Sequence, residues 1–464
     1  MTDVVFIGPS LPVEEVGRLL PDAVVLPPVA HGDLLRLDVG PGDRVLVIDG
    51  FFLQHPPVRH REILDLLDRG VTVAGAASMG ALRAAELWQF GMRGVGEVFQ
   101  LYRDGVVTGD DEVAVVHGPA EEGHRTLSEP LVNIRVALRR AVAAGVLADT
   151  EAVLLLDIAR DLPFRRRSYR ALERTAPPAA TAVVDRFLAW HRRNPTDAKG
   201  ADARLLLSMA ADNAPELCPT HGGDQPIDNL HTRFLDSWRA RFAGQSAGAH
   251  WVSDREAAGV LMLLHPDEPA WHRREVLAGV AGVDSADPTV EERAHQAARE
   301  RGLGAAPPGG WDWLTDRERT LDDREALLRM VVRAFGTTPH RSLALWMVAA
   351  PLRTPELLAA ARQVAATAAA LNEALPRTTG HRRPGGRLHF RTEVVDACFA
   401  ALWSCDTGEL EAAAWDRGFV DLTAFRYAAE PLVAYLKTFG APRLPQVATP
   451  PLDIIPAGPP ARVG

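Results

Sequence analysis

Val71–Glu86 reads Val-Thr-Val-Ala-Gly-Ala-Ala-Ser-Met-Gly-Ala-Leu-Arg-Ala-Ala-Glu, and this stretch decides the fold of the first part of the chain. Its first residues form an apolar, partly β-branched run, which predicts a buried strand, and its last residues are good helix formers. A strand that enters a helix through small residues directs backbone N–H groups, at the positive end of the helix dipole, towards an anion. The same turn lifts Ser78 out of the packing, so that its hydroxyl can meet a ligand.

Ser78 has two interpretations at this stage. Serine at a strand–helix junction is most often an N-cap, whose hydroxyl accepts a hydrogen bond from the first turn of the helix. The alternative is a nucleophile, but the spacing Gly75-x-x-Ser78-x-Gly80 differs by one residue from the Gly-x-Ser-x-Gly turn of hydrolases. The motif alone leaves both interpretations open.

The residues before this stretch repeat the strand–helix alternation. Apolar runs at Val4–Ile7, Ala23–Leu26 and Val45–Ile48 read as strands, with helical spacing or turns between them. Fully apolar strands alternating with helices predict an α/β domain, a parallel sheet with helices on both faces. Ligands bind beside the carboxyl ends of such strands. Asp49-Gly50 and Ser78 both follow a strand, so we expect them to lie close together.

A run of three acids, Asp110-Asp111-Glu112, stands before a second apolar run. We read Val113–Val116 as a strand that leads to His117. The acids are open to three interpretations: a solvated loop, ligands for a hard metal ion, or a clamp for an arginine.

Composition limits the class of protein. The chain has 464 residues, a formal net charge of -9 and three cysteines, Cys218, Cys398 and Cys405. The negative charge argues against a general nucleic-acid binder, and the sparse cysteines, without a Cys-x-x-Cys pair, favour a reducing cytoplasm and argue against a cysteine zinc site. No apolar run reaches the roughly 20 residues that span a bilayer, and we expect no metal and no cofactor.

Composition also predicts the domain organisation. Residues Pro215–Gly223 are rich in Pro, Gly and His, which indicates a boundary. We therefore expect an α/β domain at 1–215 and an all-helical domain at 216–440, because the later segments carry amphipathic helical spacing. Residues 441–464 are rich in proline and are expected to be a disordered tail.

Several motifs occur together in the order and spacing of the TfuA-like core, which this chain resembles over residues 40–140. They are Asp49-Gly50-Phe51-Phe52, Arg59-His60-Arg61-Glu62-Ile63-Leu64, Gly75 to Leu87, Phe90-Gly91-Met92-x-Gly94-Val95-Gly96 and Asp110-Asp111-Glu112-Val113-Ala114-x-x-His117. The resemblance implies a partner of YcaO enzymes, which use ATP to activate a backbone amide of a ribosomally made precursor peptide. It further implies that the protein supplies sulfur for thioamide formation, by hydrolysing the C-terminal thiocarboxylate of a small sulfur-carrier protein.

Thiocarboxylate hydrolysis needs a nucleophile, a base and an anion hole, and the matching motifs contain side chains for each role. Ser78 is the candidate nucleophile, and one inward-facing arginine is a candidate for the carrier's terminal carboxyl group. Arg83 and Glu86, at positions i and i+3 of one helix, have pairing with each other as the alternative. The candidate bases are His55, His60 and His117, with Asp49 or Glu62 as the orienting carboxylate; the ligand-binding and anion-binding candidates are Gly50, Gly75, Met79, Gly80, Arg83, Glu86, Asp110, Asp111 and Glu112.

Two other functions remain open at this stage. One is a non-catalytic partner that docks or activates the modifying YcaO enzyme, with Ser78 as a helix cap. The other is a hydrolase of small molecules that acts without a carrier protein.

Overall fold

The structure is a computed structural model of the whole chain. It describes residues 1–52, 55–217, 224–228, 230, 232–303, 310–336, 347–374, 381–382 and 388–447. The chain divides into two compact units, Met1–Leu235 and Asp236–Gly464. The domain ranges expected from composition stay predictions, and the end of the expected tail, 448–464, lies outside the described residues.

The first unit is built on a parallel sheet, as predicted, and the sheet has five strands in the order β2-β1-β3-β4-β5. The strands are β1 (Asp3–Phe6), β2 (Val24–Leu26), β3 (Arg44–Val47), β4 (Thr72–Ala76) and β5 (Arg93–Val95). The chain leaves β1 for β2 on one side and returns to β3 on the other. The carboxyl ends of β1 and β3 therefore form the switch point at which open α/β sheets bind ligands.

Helices cover both faces of this sheet, as the apolar strands predict. The first-unit helices are α1 (Val13–Leu19), α2 (His60–Asp68), α3 (Met79–Leu87), α4 (Glu97–Arg103), α5 (Leu131–Ala143), α6 (Asp149–Asp161), α7 (Tyr169–Thr175), α8 (Thr181–His191) and α9 (Ala198–Ala211). Alternate strand residues divide between two cores, one with α2, α3 and α4 and one with α1 and α9. Helices α5 to α8 enclose a third core of their own.

The expected strand at Val113–Val116 is wrong. Residues 110–112 form a 3-10 helix and the next residues form a loop, which joins only one isolated bridge, between His117 and Thr126. The apolar pattern was misleading because this segment is held by hydrogen bonds to distant groups and not by continuous pairing with a neighbouring strand. Val116 N–H, for example, donates to Ser128 Oγ at 2.8 Å. Apolar spacing also missed β5, whose short segment becomes a strand by pairing with β4.

The second unit is mainly helical, as predicted, and also contains a two-stranded hairpin of β6 (Gly244–Ala247) and β7 (His250–Ser253). A second short pair joins β8 (His381–Arg382) and β9 (Leu388–His389). The division between the units falls within α10 (Arg233–Phe242), and the later helices are α11 (Asp254–Leu264), α12 (Glu268–Ala281), α13 (Val290–Glu300), α14 (Asp323–Gly336), α15 (Pro355–Ala374), α16 (Thr392–Trp403), α17 (Leu410–Trp415), α18 (Leu422–Ala429) and α19 (Val433–Phe439). Of the helices described, every one is too short or too polar to cross a bilayer.

Candidate functional site

A cleft of about 260 Å³ opens at the carboxyl ends of the first four strands. The walls come from segments that follow the strands, from the loop that carries the acids, and from the 3-10 turn Phe164–Arg166 after α6. The lining residues are Pro9, Pro28, Asp49, Gly50, Phe51, Phe52, Ser78, Met79, Asp110, Val113, Ala114, Val115, Val116, His117, Phe164 and Arg165. The structure thus brings together six predicted site residues: Asp49, Gly50, Ser78, Met79, Asp110 and His117.

The turn before α3 holds Ser78 in an unusual conformation. Ala77 has φ 67°, which is rare for a residue with a side chain, and Ser78 N–H donates to the Ala76 carbonyl at 2.7 Å, so that the turn closes over three residues. Ser78 occupies the N-cap position, but its hydroxyl accepts no capping hydrogen bond. With 8% of its surface exposed, Ser78 lines the cleft. The hydroxyl is therefore not used as a cap, and such strained turns cluster at functional sites.

Two of the predicted glycines let the helix approach the sheet. A Cβ on Gly80 would collide with the Val47 carbonyl, and a Cβ on Gly75 would collide with the carbonyl of Gly80. The Gly80 N–H donates to the Ile48 carbonyl at 3.3 Å, so this amide already has an acceptor. Gly75 and Gly80 thus position the turn through packing, whereas Gly50 and Met79 line the cleft themselves.

His117 lies on the loop after the acids and lines the same cleft. Its Nδ1 is 2.8 Å from the Gly118 carbonyl oxygen, which can only accept a hydrogen bond. This contact assigns the proton of the neutral ring to Nδ1 and leaves Nε2 with a lone pair. The ring also lies 5.1 Å from the ring of His124 and 6.2 Å from that of Phe51, centroid to centroid. His117 can therefore act as a base through Nε2.

His124 is an imidazole that sequence analysis did not select. Burial lowers its pKa, and the neighbouring His117 lowers it further. It is therefore mainly uncharged near neutral pH.

His55, another candidate base, is exposed and packs edge-on against Phe51, with the ring centroids 4.8 Å apart. It stands beside a residue of the cleft wall, whereas His117 is in the wall.

Asp49 is buried and already holds several donors. Its Oδ2 accepts the N–H groups of Gly8 and Ser10, and its Oδ1 accepts the Ser10 hydroxyl at 2.6 Å. The ammonium of Lys199 lies 3.9 Å from Oδ1. This carboxylate therefore joins the loop after β1 to the end of β3.

Glu62 lies outside the cleft and is fully buried. It accepts hydrogen bonds from His31 Nδ1 at 2.7 Å and from the N–H groups of Gly32 and Arg59. These contacts fix the start of α2.

Arg83 and Glu86 pair with each other at 2.6 Å, as their spacing on one helix allows, and His60 Nε2 lies 2.8 Å from the same carboxylate. Burial raises the pKa of Glu86, but hydrogen bonds from His60 and Arg83 outweigh burial and lower it. Neither Arg83 nor Glu86 lines the cleft.

Two of the three acids clamp arginines, which was one of the three interpretations. Glu112 forms a buried ion pair with Arg135, and Asp111 lies 3.1 Å from Arg167. Asp110 instead lines the cleft. In the described part of the chain, no group of three or more His, Cys, Asp or Glu side chains is arranged to hold a metal ion.

Sequence analysis missed Ser10, Phe51, Arg165 and Lys199. A signal for Lys199 was present, because only two of the 51 lysine and arginine residues are lysine, and the other is Lys437. Phe51 stands in the motif Asp49-Gly50-Phe51-Phe52 but was not selected as a site residue, and Ser10 and Arg165 belong to types too common to stand out without the fold.

The family model of TfuA-like proteins matches residues 49–168. The chain contains a TfuA-like domain. This family is associated with YcaO-linked thioamide formation. The matched range of the TfuA-like domain includes Asp49, Ser78, His117 and Arg165, whereas Lys199 lies beyond it. A comparison with curated proteins gave no significant match.

Proposed function

We propose that the protein releases sulfur for a YcaO enzyme by hydrolysing the thiocarboxylate of a sulfur-carrier protein in the cleft of its TfuA-like domain. One observation carries this proposal. The Ser78 hydroxyl stands at a helix N-terminus without capping it and shares a cleft with an imidazole whose Nε2 carries the lone pair. A hydroxyl and a base in one cleft are the minimum that acyl transfer needs.

The reaction proceeds in two balanced steps. The Ser78 oxygen attacks the thiocarboxylate carbon and gives its proton to His117 Nε2; the C–S bond breaks, and the sulfur leaves with the electron pair of that bond and takes the proton from His117, so that hydrosulfide departs and the imidazole is neutral again. A water molecule then attacks the ester, with His117 again as the base. The carrier leaves as a carboxylate and the Ser78 hydroxyl is restored.

The charge that develops on the carbonyl oxygen is stabilised at the start of α3. Met79 is the first residue of the helix and lines the cleft, so the positive end of the helix dipole lies beside the cleft and stabilises the negative charge on that oxygen. Arg165, exposed at the edge of the same cleft, provides a cation for the negatively charged thiocarboxylate.

A pair of matched serines tests this function. Ser78 and Ser253 are both N-cap residues and both 8% exposed, but only Ser253 accepts a capping bond, from Glu256 N–H. We expect Ser78→Ala to lower sulfide release at least about 1,000-fold and to leave the free energy of unfolding within about 0.5 kcal/mol, because no cap is lost.

The control variant, Ser253→Ala, is expected to lose about 1 kcal/mol of stability and to keep full turnover. The assay uses the thiocarboxylated carrier with and without the YcaO enzyme. Sulfide release that needs the YcaO enzyme, or that survives in Ser78→Ala, favours a docking partner and contradicts the proposed hydrolase.

A further inference from the structure

Lys199 is a buried cation in a chain that otherwise relies on arginine. Only 4% of it is exposed. The buried pairs that brace this unit, Arg44 with Asp3 and Arg135 with Glu112, use guanidinium groups. Lysine is a point charge on a flexible stem, and so it suits a narrow space that a planar guanidinium does not fit.

The ammonium of Lys199 lies where two walls of the cleft meet. Its Nζ donates to the Val113 carbonyl at 3.1 Å and is 3.9 Å from Asp49 Oδ1. Val113 begins the loop that ends at His117. Asp49 follows β3, and Ser78 follows β4, the strand that pairs with β3. One side chain thus connects the wall that carries the base to the sheet edge that carries the hydroxyl.

The backbone of Lys199 is itself fixed. The N–H groups of Ala198 and Lys199 donate to the buried Asn133 Oδ1, at 3.0 and 3.3 Å. Asn133 in turn donates to Glu129 at 2.9 Å. The ammonium is therefore presented from a rigid helix start.

The charges around the ammonium are balanced within the fold. Burial lowers the pKa of Lys199, and the carboxylates of Asp49, Asp197 and Glu129 act in the opposite direction. Both Lys199 and Asp49 are almost wholly buried, so loss of the Lys199 charge removes the cation that lies 3.9 Å from this buried carboxylate.

We infer that Lys199 is a positioning residue for the cleft, which holds the Val113–His117 loop against the end of β3 and so aligns His117 with Ser78. This inference rests on the proposed hydrolysis for its catalytic consequence. Its effect on the loop does not depend on the reaction.

The test compares Lys199→Met, which keeps the length of the side chain without its charge, with Lys437→Met, which removes the only other lysine, an exposed residue of the second unit. Hydrogen exchange is followed at the amides of Val116 and Gly118, which bond to Ser128 Oγ and to the Arg125 carbonyl. Turnover of the thiocarboxylated carrier is measured on the same preparations.

We expect Lys199→Met to speed loop exchange at least tenfold relative to the amides of β4, and to lower kcat at least 100-fold with KM changed less than threefold. Lys199→Arg should keep a counter-charge for Asp49 but not restore kcat, because the wider group displaces the loop. Lys437→Met should behave like the wild type in both measurements.

Unchanged loop exchange in a folded Lys199→Met, or full kcat in that variant, would overturn the inference. If Lys199→Met does not fold, Lys199→Arg decides the question, and full kcat in it would also overturn the positioning role. A wild type without turnover would instead refute the proposed hydrolysis and the catalytic consequence with it, while the exchange data would still decide whether Lys199 holds the loop.

Discussion

At the scale of single residues, the site depends on a hydroxyl that does not cap its helix and on a ring nitrogen that keeps its lone pair. Ser78 stands where a cap is expected and does not cap. His117 uses Nδ1 on the Gly118 carbonyl, so its second nitrogen remains a lone-pair acceptor. A nucleophile and a base need such uncommitted atoms, whereas Glu62 and Arg83 have committed theirs to α2 and to Glu86.

A substitution of the base gives a prediction at this scale. His117→Gln is expected to lower turnover about 100- to 10,000-fold, the usual range for a general base, because the amide cannot take the proton from Ser78. Steady-state sulfide release measures the effect.

His124→Gln is the matched control, because His124 lies beside His117, with a ring distance of 5.1 Å, and has no role in the proposed steps. A similar loss of turnover in both variants would count against His117 as the base.

At the scale of elements, the β4–turn–α3 unit could be predicted from sequence because its information is local. The apolar run, the small residues and the helix formers follow one another without a gap. β5 and the Val113–Val116 loop could not be predicted, because each depends on a distant partner: β5 on the edge of β4, and the loop on Ser128 and Lys199. Lys199 is one of only two lysines in the sequence, but only the fold places it beside Asp49 and Val113.

The contact of α3 with the sheet yields a stability prediction. Gly80→Ala places a methyl group against the Val47 carbonyl, so the helix must move away from β3. We expect a loss of about 3 kcal/mol in the free energy of unfolding, the upper end for overpacking, measured by urea denaturation.

Gly17→Ala, on α1, serves as the control, because nothing lies within 4 Å of the added Cβ. Its stability should equal or exceed that of the wild type. Equal stability of Gly80→Ala and Gly17→Ala would contradict the close approach of α3 to the sheet.

At the scale of the whole molecule, each of the two units has its own hydrophobic cores. The second unit also buries titratable groups on α12. Burial raises the pKa of Glu268 to about 8, against an attraction from Arg417, and burial lowers the pKa of His272 to about 4. Both carboxylate oxygens of Glu268 and Nε2 of His272 lack a hydrogen-bond partner, so no hydrogen bond offsets the effect of burial on these atoms.

These shifts predict a pH dependence that belongs to the second unit. The pKa of Glu268 is raised on folding, so its stabilising contribution is complete below its usual pKa of 4.5 and is lost as pH rises towards about 8. The pKa of His272 is lowered, so its contribution is present above 6.5 and is lost as pH falls towards about 4. Stability should therefore be greatest between about pH 4.5 and pH 6.5, where the two opposite dependences cancel.

Calorimetry of Glu268→Gln tests this expectation. Between pH 6 and pH 8 the variant should lose much less stability than the wild type, a difference of a few kcal/mol, because the amide has no proton to release. The same slope with pH in both proteins would exclude Glu268 as its origin.

The central claim is that the Ser78 oxygen attacks the carrier's thiocarboxylate carbon. The most direct measurement is a single-turnover reaction quenched in acid, followed by peptide mass spectrometry to locate the carrier on the protein. The account predicts a carrier ester on Ser78 that appears with the first equivalent of sulfide and is absent from Ser78→Ala. Sulfide release at the wild-type rate from Ser78→Ala, or an ester on another residue, would contradict it.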